Sequence, residues 1–291
     1  MAASKKIKSL QFDNKLPIGI EIIPVNKRYI EESLHLTTPH RASFYCVLWV
    51  IDGMPTHLID FVPITISPDS FLFVAKDRIQ FFDQTTSFKS KVLLFTDASL
   101  GENPQFLFRT PLFTTFDSSK HCILKASSQL KEYWHMIERE CTTPGDKHQP
   151  LLLKNHLSNF LLQAERELHA GLPPEDGTSP HQEIFYQFRT LLETHFRKQA
   201  PVTFYANQLN ISGKVLAHAT EKLSGKTPKQ LINERVLLEA KRLLIYEKEA
   251  GKNIGYTLGF LDPTNFAKFF RKHTGETPAN FRKHHYPGKG Q

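Results

Sequence analysis

Cysteine, methionine and tryptophan are scarce in this 291-residue chain, at three, three and two. The cysteines, Cys46, Cys122 and Cys141, are scattered, and no two have metal-site spacing, so neither a zinc–thiolate centre nor a disulfide frame is expected. No apolar run approaches the roughly 20 residues of a membrane-spanning helix. The lysines of the opening MAASKKIKSLQFDNKL are not followed by the apolar core of a signal peptide. These absences point to a cytoplasmic protein with no membrane partner. Also missing are a Gly-x-Ser-x-Gly elbow, a phosphate-binding loop and a dinucleotide fingerprint. What is present is ample: 40% hydrophobic residues suffice for packed cores, and the length is natural for two domains.

Positive charge is unevenly placed. The net charge is +8, yet residues 1–181 carry 19 Lys and Arg against 20 Asp and Glu, while residues 182–291 carry 18 against 9. All the excess sits in the last 110 residues. A basic domain joined to a neutral one suits a polyanionic partner for the basic half.

Texture changes along the chain in the same way. Between residues 18 and 120, SFYCVLWVIDG, THLIDFVPITIS and SFLFVAKDRIQFF are β-branched and aromatic runs, separated by turn signals at Asp52-Gly53, Pro63 and Pro68-Asp69. Short strands so spaced predict a sandwich or small barrel. From about Ser127 the period becomes helical. Leu130, Trp134, Ile137 and Cys141 line one helix, and Leu153, Leu157, Phe160, Leu161 and Leu168 line a second. GLPPEDGTSP at 171–180 breaks all periodicity and reads as a linker. We therefore expect domains at 1–170 and 182–291 with a linker at 171–181.

The basic half contains one design twice. TFYANQLNISGKVLAHATEKLSGKTP (203–228) and KNIGYTLGFLDPTNFAKFFRKHTGETP (252–278) each hold a short helix, a tight turn, a second helix and Gly-x-Thr-Pro. Gly225 and Gly275 suit left-handed caps that end the second helices. Thr-Pro suits the start of the next helix, with threonine as N-cap and proline at the first helical position. The repeat offset is 49 residues before the turn and 50 after it, so the second turn holds one extra residue. Small Ala206 and Gly255, apolar Leu209 and Leu258, and anchors Leu216 and Phe266 recur in the order of helix-turn-helix units. Between the units, KQLINERVLLEAKRLLIYEKEA reads as a single helix with Ile232, Val236, Ala240, Leu243 and Leu244 on one face. About 19 helical residues span roughly 28 Å, close to the about 34 Å between successive major-groove faces.

The stretches ANQLNIS (206–212), NERVLLEAKRLL (233–244) and LGFLDPTNFAKFFRKHTGETPANFRK (258–283) carry a resemblance to the AraC/XylS family of bacterial transcription regulators. It covers about residues 185–284. The strands and two helices upstream resemble that family's cupin-like sensing and dimerisation domain. The resemblance implies an α+β chain: a cupin-like barrel or sandwich with two helices, then an all-α domain with two helix-turn-helix units joined by a long helix. It also implies double-stranded DNA, a second copy of the chain, RNA polymerase and a small-molecule effector as partners, with no cofactor. Three departures stand out. Asn253-Ile254-Gly255 replaces the usual Glu-Ile-Ala, and glycine for alanine costs a helix about 1 kcal/mol. Thr220 stands where an aromatic side chain packs. His218 and Glu221 stand where arginine and lysine are usual, which makes the first recognition helix the less basic.

In the second recognition helix, Phe266, Phe269 and Phe270 form the inner face and leave Thr264, Asn265, Lys268, Arg271 and Lys272 outside. By the resemblance, Thr264, Asn265 and Lys268 face base edges. Asparagine can pair with adenine and lysine with guanine, while Arg271 and Lys272 suit phosphates. The matching outer positions of the first unit are Ser212, Lys214, Ala217 and His218. The rival reading is a cupin-type small-molecule binder or metal enzyme with an accessory basic domain. Cupin metals need a His-x-His pair, but Ala42 stands two positions after His40; His57 is a possible second ligand, yet no carboxylate clusters with it. His40 and Arg41 remain candidate effector contacts at the barrel mouth. A third reading keeps the DNA-binding half and makes the N-terminal half a dimerisation module without a ligand.

Overall fold

The computed structural model describes residues 8–10, 19–26, 36–82, 87–100, 110–113, 121–143, 145–170, 179–247 and 249–285. Most of the expected linker, residues 171–178, lies outside them. The chain clusters into two units, Ile7–Leu172 and Pro173–Gln291.

Among the described residues of the first unit the strand runs become ten strands: β1 (Lys8–Leu10), β2 (Ile20–Asn26), β3 (His40–Ala42), β4 (Tyr45–Asp52), β5 (Thr56–Ile59), β6 (Val62–Thr65), β7 (Ser70–Val74), β8 (Ile79–Phe82), β9 (Lys89–Phe95) and β10 (Cys122–Lys125). They form two five-stranded sheets, ordered β1-β3-β8-β5-β6 and β10-β7-β4-β9-β2. All neighbours are antiparallel except β1 and β3. Two helices follow, α1 (Ser128–Thr142) and α2 (Gln149–Leu168).

The second sheet is covered on both sides, which explains the unbroken apolar run of β4. Alternate residues of a strand point to opposite faces. Cys46, Leu48 and Val50 join Leu72, Val74, Ile59 and Phe82 in one core, with residues from both sheets. Tyr45, Val47 and Trp49 join Phe71, Phe73 and the helix residues Leu130, Trp134, Ile137, Leu153, Leu157 and Phe160 in the other. Aromatic rings make up much of that second core. Trp49 meets Trp134 edge-on at 5.6 Å, and Phe71 meets Phe160 at 5.4 Å, separations at which such pairs add to simple burial. The apolar faces of both helices are therefore spent within the chain.

The sequence places a break at Pro63, but the turn falls at Asp60 and Phe61, whose φ values are 45° and 77°. Two residues of positive φ make the tight hairpin between β5 and β6. Asp60 is held there by ion pairing: Arg78 Nη1 donates to its carboxylate at 2.6 Å, and the Ile79 N–H at 3.2 Å. Pro63 sits within β6 opposite Leu58. It is tolerated because β6 is an edge strand and needs no ladder bond on its outer side.

One buried polar residue in this unit has a measurable consequence. His57 lies between Gln80 and Phe82, with Nε2 donating to Gln80 Oε1 at 2.9 Å. Burial, above all, presses its pKa from 6.5 down to about 4, Gln80 opposes that shift, and the positive charges of His40 and His121 add to it. The unfolded chain therefore binds a proton that the folded chain refuses between pH 6.5 and 4. Stability is complete above pH 6.5 and falls with pH through that window, by about 2 kcal/mol at pH 5 from this group. Urea unfolding at pH 7.5 and pH 5 checks this: His57→Gln should flatten the slope, and an equal slope in both chains would refute the assignment.

Among the described residues the second unit has only helices as regular structure: α3 (Pro180–His195), α4 (Val202–Gln208), α5 (Gly213–Ser224), α6 (Pro228–Tyr246), α7 (Gly251–Thr257), α8 (Pro263–Thr274) and α9 (Pro278–His285), with a 3-10 turn at Phe196–Lys198. Helix α3 starts at Pro180, inside the expected linker, because Ser179 and Gln182 form a reciprocal capping box. A second box, Thr227 with Gln230, starts α6. Gly225 and Gly275 close α5 and α8 with φ of 68° and 83°, the left-handed caps read from the repeat.

Helix α6 differs from its expected single apolar stripe. It is buried around most of its circumference, charged residues included: Arg235, Glu239 and Arg242 are all inside. The Glu239 carboxylate, wholly buried, takes hydrogen bonds from Arg197 (2.8 Å), Arg242 (3.2 Å) and Arg235 (3.4 Å). Arg235 also pairs with Glu193 of α3 at 2.9 Å and lies 3.9 Å from the centre of the Phe196 ring. Buried charges survive only when so paired. At its C-terminal end α6 is closed by Arg282 of α9, which donates to the Leu244, Glu247 and Glu249 carbonyls, where the helix dipole favours a cation.

Candidate DNA interface

The two short-helix, turn, long-helix segments share one hydrogen-bond pattern. Ile211 N–H bonds to Ala206 O at 3.0 Å, and Phe260 N–H to Gly255 O at 3.0 Å. Leu209 N–H bonds to Tyr205 O at 3.2 Å, and Leu258 N–H to Ile254 O at 3.0 Å. Asn210 and Gly259, at the same place in each turn, take φ of 54° and 81°. The extra residue of the second turn is Leu261, whose side chain is 96% exposed. After it the register resumes: Ser212 and Asp262 are the N-caps of α5 and α8, accepting from Val215 N and Thr264 N. The insertion is thus absorbed before the helix begins, and the inner faces of the two helices stay equivalent.

Helix α8 is held by aromatic packing. Phe266 and Phe270 are buried, and Phe269, half-buried, lies against Phe260 and His273. A Cβ on Gly255 would come 3.1 Å from Phe266 Cβ. The departure from alanine therefore has a packing reason: it lets the larger ring approach α7. Thr264, Asn265, Lys268, Arg271 and Lys272 are all exposed. At the leading end, hydrogen bonds from Thr264, chiefly from its backbone N–H, hold the Asp262 carboxyl below its usual range, and the Lys268 charge adds a little. That negative charge is committed to the start of the helix.

Helix α5 is held less strongly. Leu216 and Ala219 are buried. Thr220, also buried, returns its hydroxyl to Ala217 O of its own helix at 3.0 Å, so a polar group occupies the place where α8 packs Phe270. Ser212, Lys214 and His218 are exposed, Ala217 is half-buried, and Glu221 and Lys222 are exposed beside them. The exposed side of α5 therefore mixes charges, whereas that of α8 carries Lys268, Arg271 and Lys272 without a carboxylate between Asp262 and Glu276.

Elsewhere, His40 and Arg41 are neighbours in β3, so their side chains leave on opposite faces. His40 is buried, its Nδ1 3.1 Å from Thr38 O, and Arg41 is half-buried. They do not form one cradle. Among the described residues no three His, Cys, Asp or Glu side chains group as metal ligands, and no helix is long and apolar enough to cross a membrane. Sequence reasoning missed the arginine cluster around Glu239 and the contact of His181 with His218. Both join residues far apart in the chain, and no local spacing signals them.

Residues 205–284 match a helix-turn-helix domain model. The HTH-type transcriptional regulator YisR of Bacillus subtilis is 27% identical over 127 residues, 44% of each chain. The HTH-type transcriptional activator RhaS of Yersinia pestis is 22% identical over 255 residues, 84% of this chain and 88% of RhaS. The crystal structure of ToxT from Vibrio cholerae aligns with 91% of this chain and 98% of its own at 13% identity, with a TM-score of 0.45, too loose a likeness to transfer any residue's role. Residues 205–284 thus carry paired helix-turn-helix units after a two-sheet domain in the sequence, and the chain is similar over most of its length to transcription regulators of the AraC/XylS kind.

Proposed function

We propose that α5 and α8 enter successive major grooves of an operator, that residues 182–291 form the DNA-binding domain, and that α8 supplies most of the affinity. Asn265, Lys268 and Thr264 read base edges there, and Arg271 and Lys272 bind phosphates. Ser212, Lys214 and His218 are the contacts of α5. The observation that carries this reading is the contrast between the two helices: α8 is braced by buried phenylalanines under an exposed basic face, whereas Glu221 sits among the contacts of α5 and repels phosphates. Lys268→Ala is expected to cost about 1–3 kcal/mol on a selected operator, and His218→Ala less, with both chains folded because both positions face outward. Titration of both variants at one salt concentration tests this; a larger loss for His218→Ala would reverse the ranking.

Residues 1–170 are the sensing and dimerisation domain in this reading, working in the cytoplasm with RNA polymerase as the downstream partner. The apolar faces of α1 and α2 are already covered, so the homodimer is proposed to use the outer side of α2, where Leu151 and Leu162 are 61% and 53% exposed three turns apart. The full chain should scatter light as a dimer at micromolar concentration, and the Leu151→Asp, Leu162→Asp double variant as a monomer. A dimer that persists in that variant would place the interface elsewhere. A small-molecule effector would meet His40 from one face of β3 or Arg41 from the other, not both.

A further inference from the structure

His218 lies on the exposed side of α5, and its ring contact is with His181: centroids 4.8 Å apart, planes at 76°. Among the described residues no hydrogen bond orients the His218 ring. His181, by contrast, stands on fixed backbone. It is in the first turn of α3, its N–H bonds to Ser179 Oγ at 3.2 Å, and Ser179 N–H bonds to Gln182 Oε1 at 2.7 Å. Helix α3 packs along α5, so the relation between the two rings is set by a helix–helix contact. The His181 Nδ1 atom is buried with no hydrogen-bond partner. What the geometry offers at this ring is its packing against His218.

We infer that His181 is a positioning residue of the DNA interface, its ring face and edge fixing the rotamer of His218 on the reading side of α5. A side chain left free must lose rotamer entropy when it binds; one already braced does not. The neighbouring charges on α5, Lys214, Glu221 and Lys222, are on long side chains in solvent and brace nothing. This inference rests on the proposed role of His218 as an operator contact.

The test is a double-mutant cycle on operator binding with the full chain: wild type, His181→Ala, His218→Ala and the pair. His181→Ala should weaken binding roughly three- to tenfold, within the coupling range of touching side chains, and should add nothing in the His218→Ala background. His181→Phe should restore binding, because it keeps an edge-on ring without the nitrogen. A structural role alone would give the same loss with or without His218, and that result overturns the inference, as does a harmless His181→Ala or a failed rescue by phenylalanine. Lys268→Ala serves as the control: if it binds like wild type, the interface reading itself has failed, independently of His181.

Discussion

Replacing Glu239 with alanine is expected to cost about 3–5 kcal/mol, the range for removing one partner of a buried ion pair. The side chain is wholly buried, and two of its three arginines, Arg235 and Arg242, are only 6% and 3% exposed. Without the carboxylate, Arg235 keeps Glu193, whereas Arg242 loses a buried counter-charge. Glu239→Gln should cost nearly as much, because the shape is kept but the charge is lost. Both tryptophans, Trp49 and Trp134, lie in the first unit. Tryptophan fluorescence therefore follows the unfolding of that unit, while helical circular dichroism weights the second. The dichroism transition should move to lower urea and the fluorescence transition should stay. An unmoved dichroism transition would mean that the cluster contributes nothing net.

Gly259→Ala is expected to be comparably damaging, at more than about 3 kcal/mol. Two effects combine. Its φ of 81° costs an L side chain roughly 1–2 kcal/mol. An added Cβ would also lie 2.0 Å from the Arg197 carbonyl oxygen, so the turn and the chain after α3 would have to separate. Gly225→Ala isolates the first effect: its φ is 68°, and nothing lies within 4 Å of the added carbon. That variant should lose only the conformational part. Melting both by circular dichroism gives the difference directly, and equal losses would show that the turn yields without cost.

Much of the second unit could be read from the chain because its signals are local. A threonine cap, a proline at the first helical position and a glycine at the end each act within one helical turn, and their repetition 50 residues later identified the two units. The inner faces of α5 and α8 followed from spacing alone. The charges of α6 gave no local sign of their burial. Arg235, Glu239 and Arg242 have the spacing of a solvated stripe, and only the fold brings Arg197 and Phe196 against them. The turn at Asp60-Phe61 was hidden because neither residue is glycine or asparagine; a distant arginine, Arg78, stabilises it. The exposed leucines of α2 were equally invisible, since an apolar helix gives no sign of which leucines its own sheet will cover. For the proposed DNA contacts, exposure followed from spacing, but the His181 ring that meets His218 lay 37 positions upstream.

The buried charges of α6 bear on what an operator can be. A helix of 19 residues held at its middle by the arginines around Glu239 and at its C-terminal end by Arg282 behaves as a ruler and not as a hinge. Adding one base pair between two half-sites moves the second by about 3.4 Å and turns it by about one tenth of a revolution around the duplex axis. A rigid ruler cannot follow that displacement. Sites read by both helices should therefore tolerate changes of base far better than changes of spacing, and one inserted pair should abolish simultaneous docking.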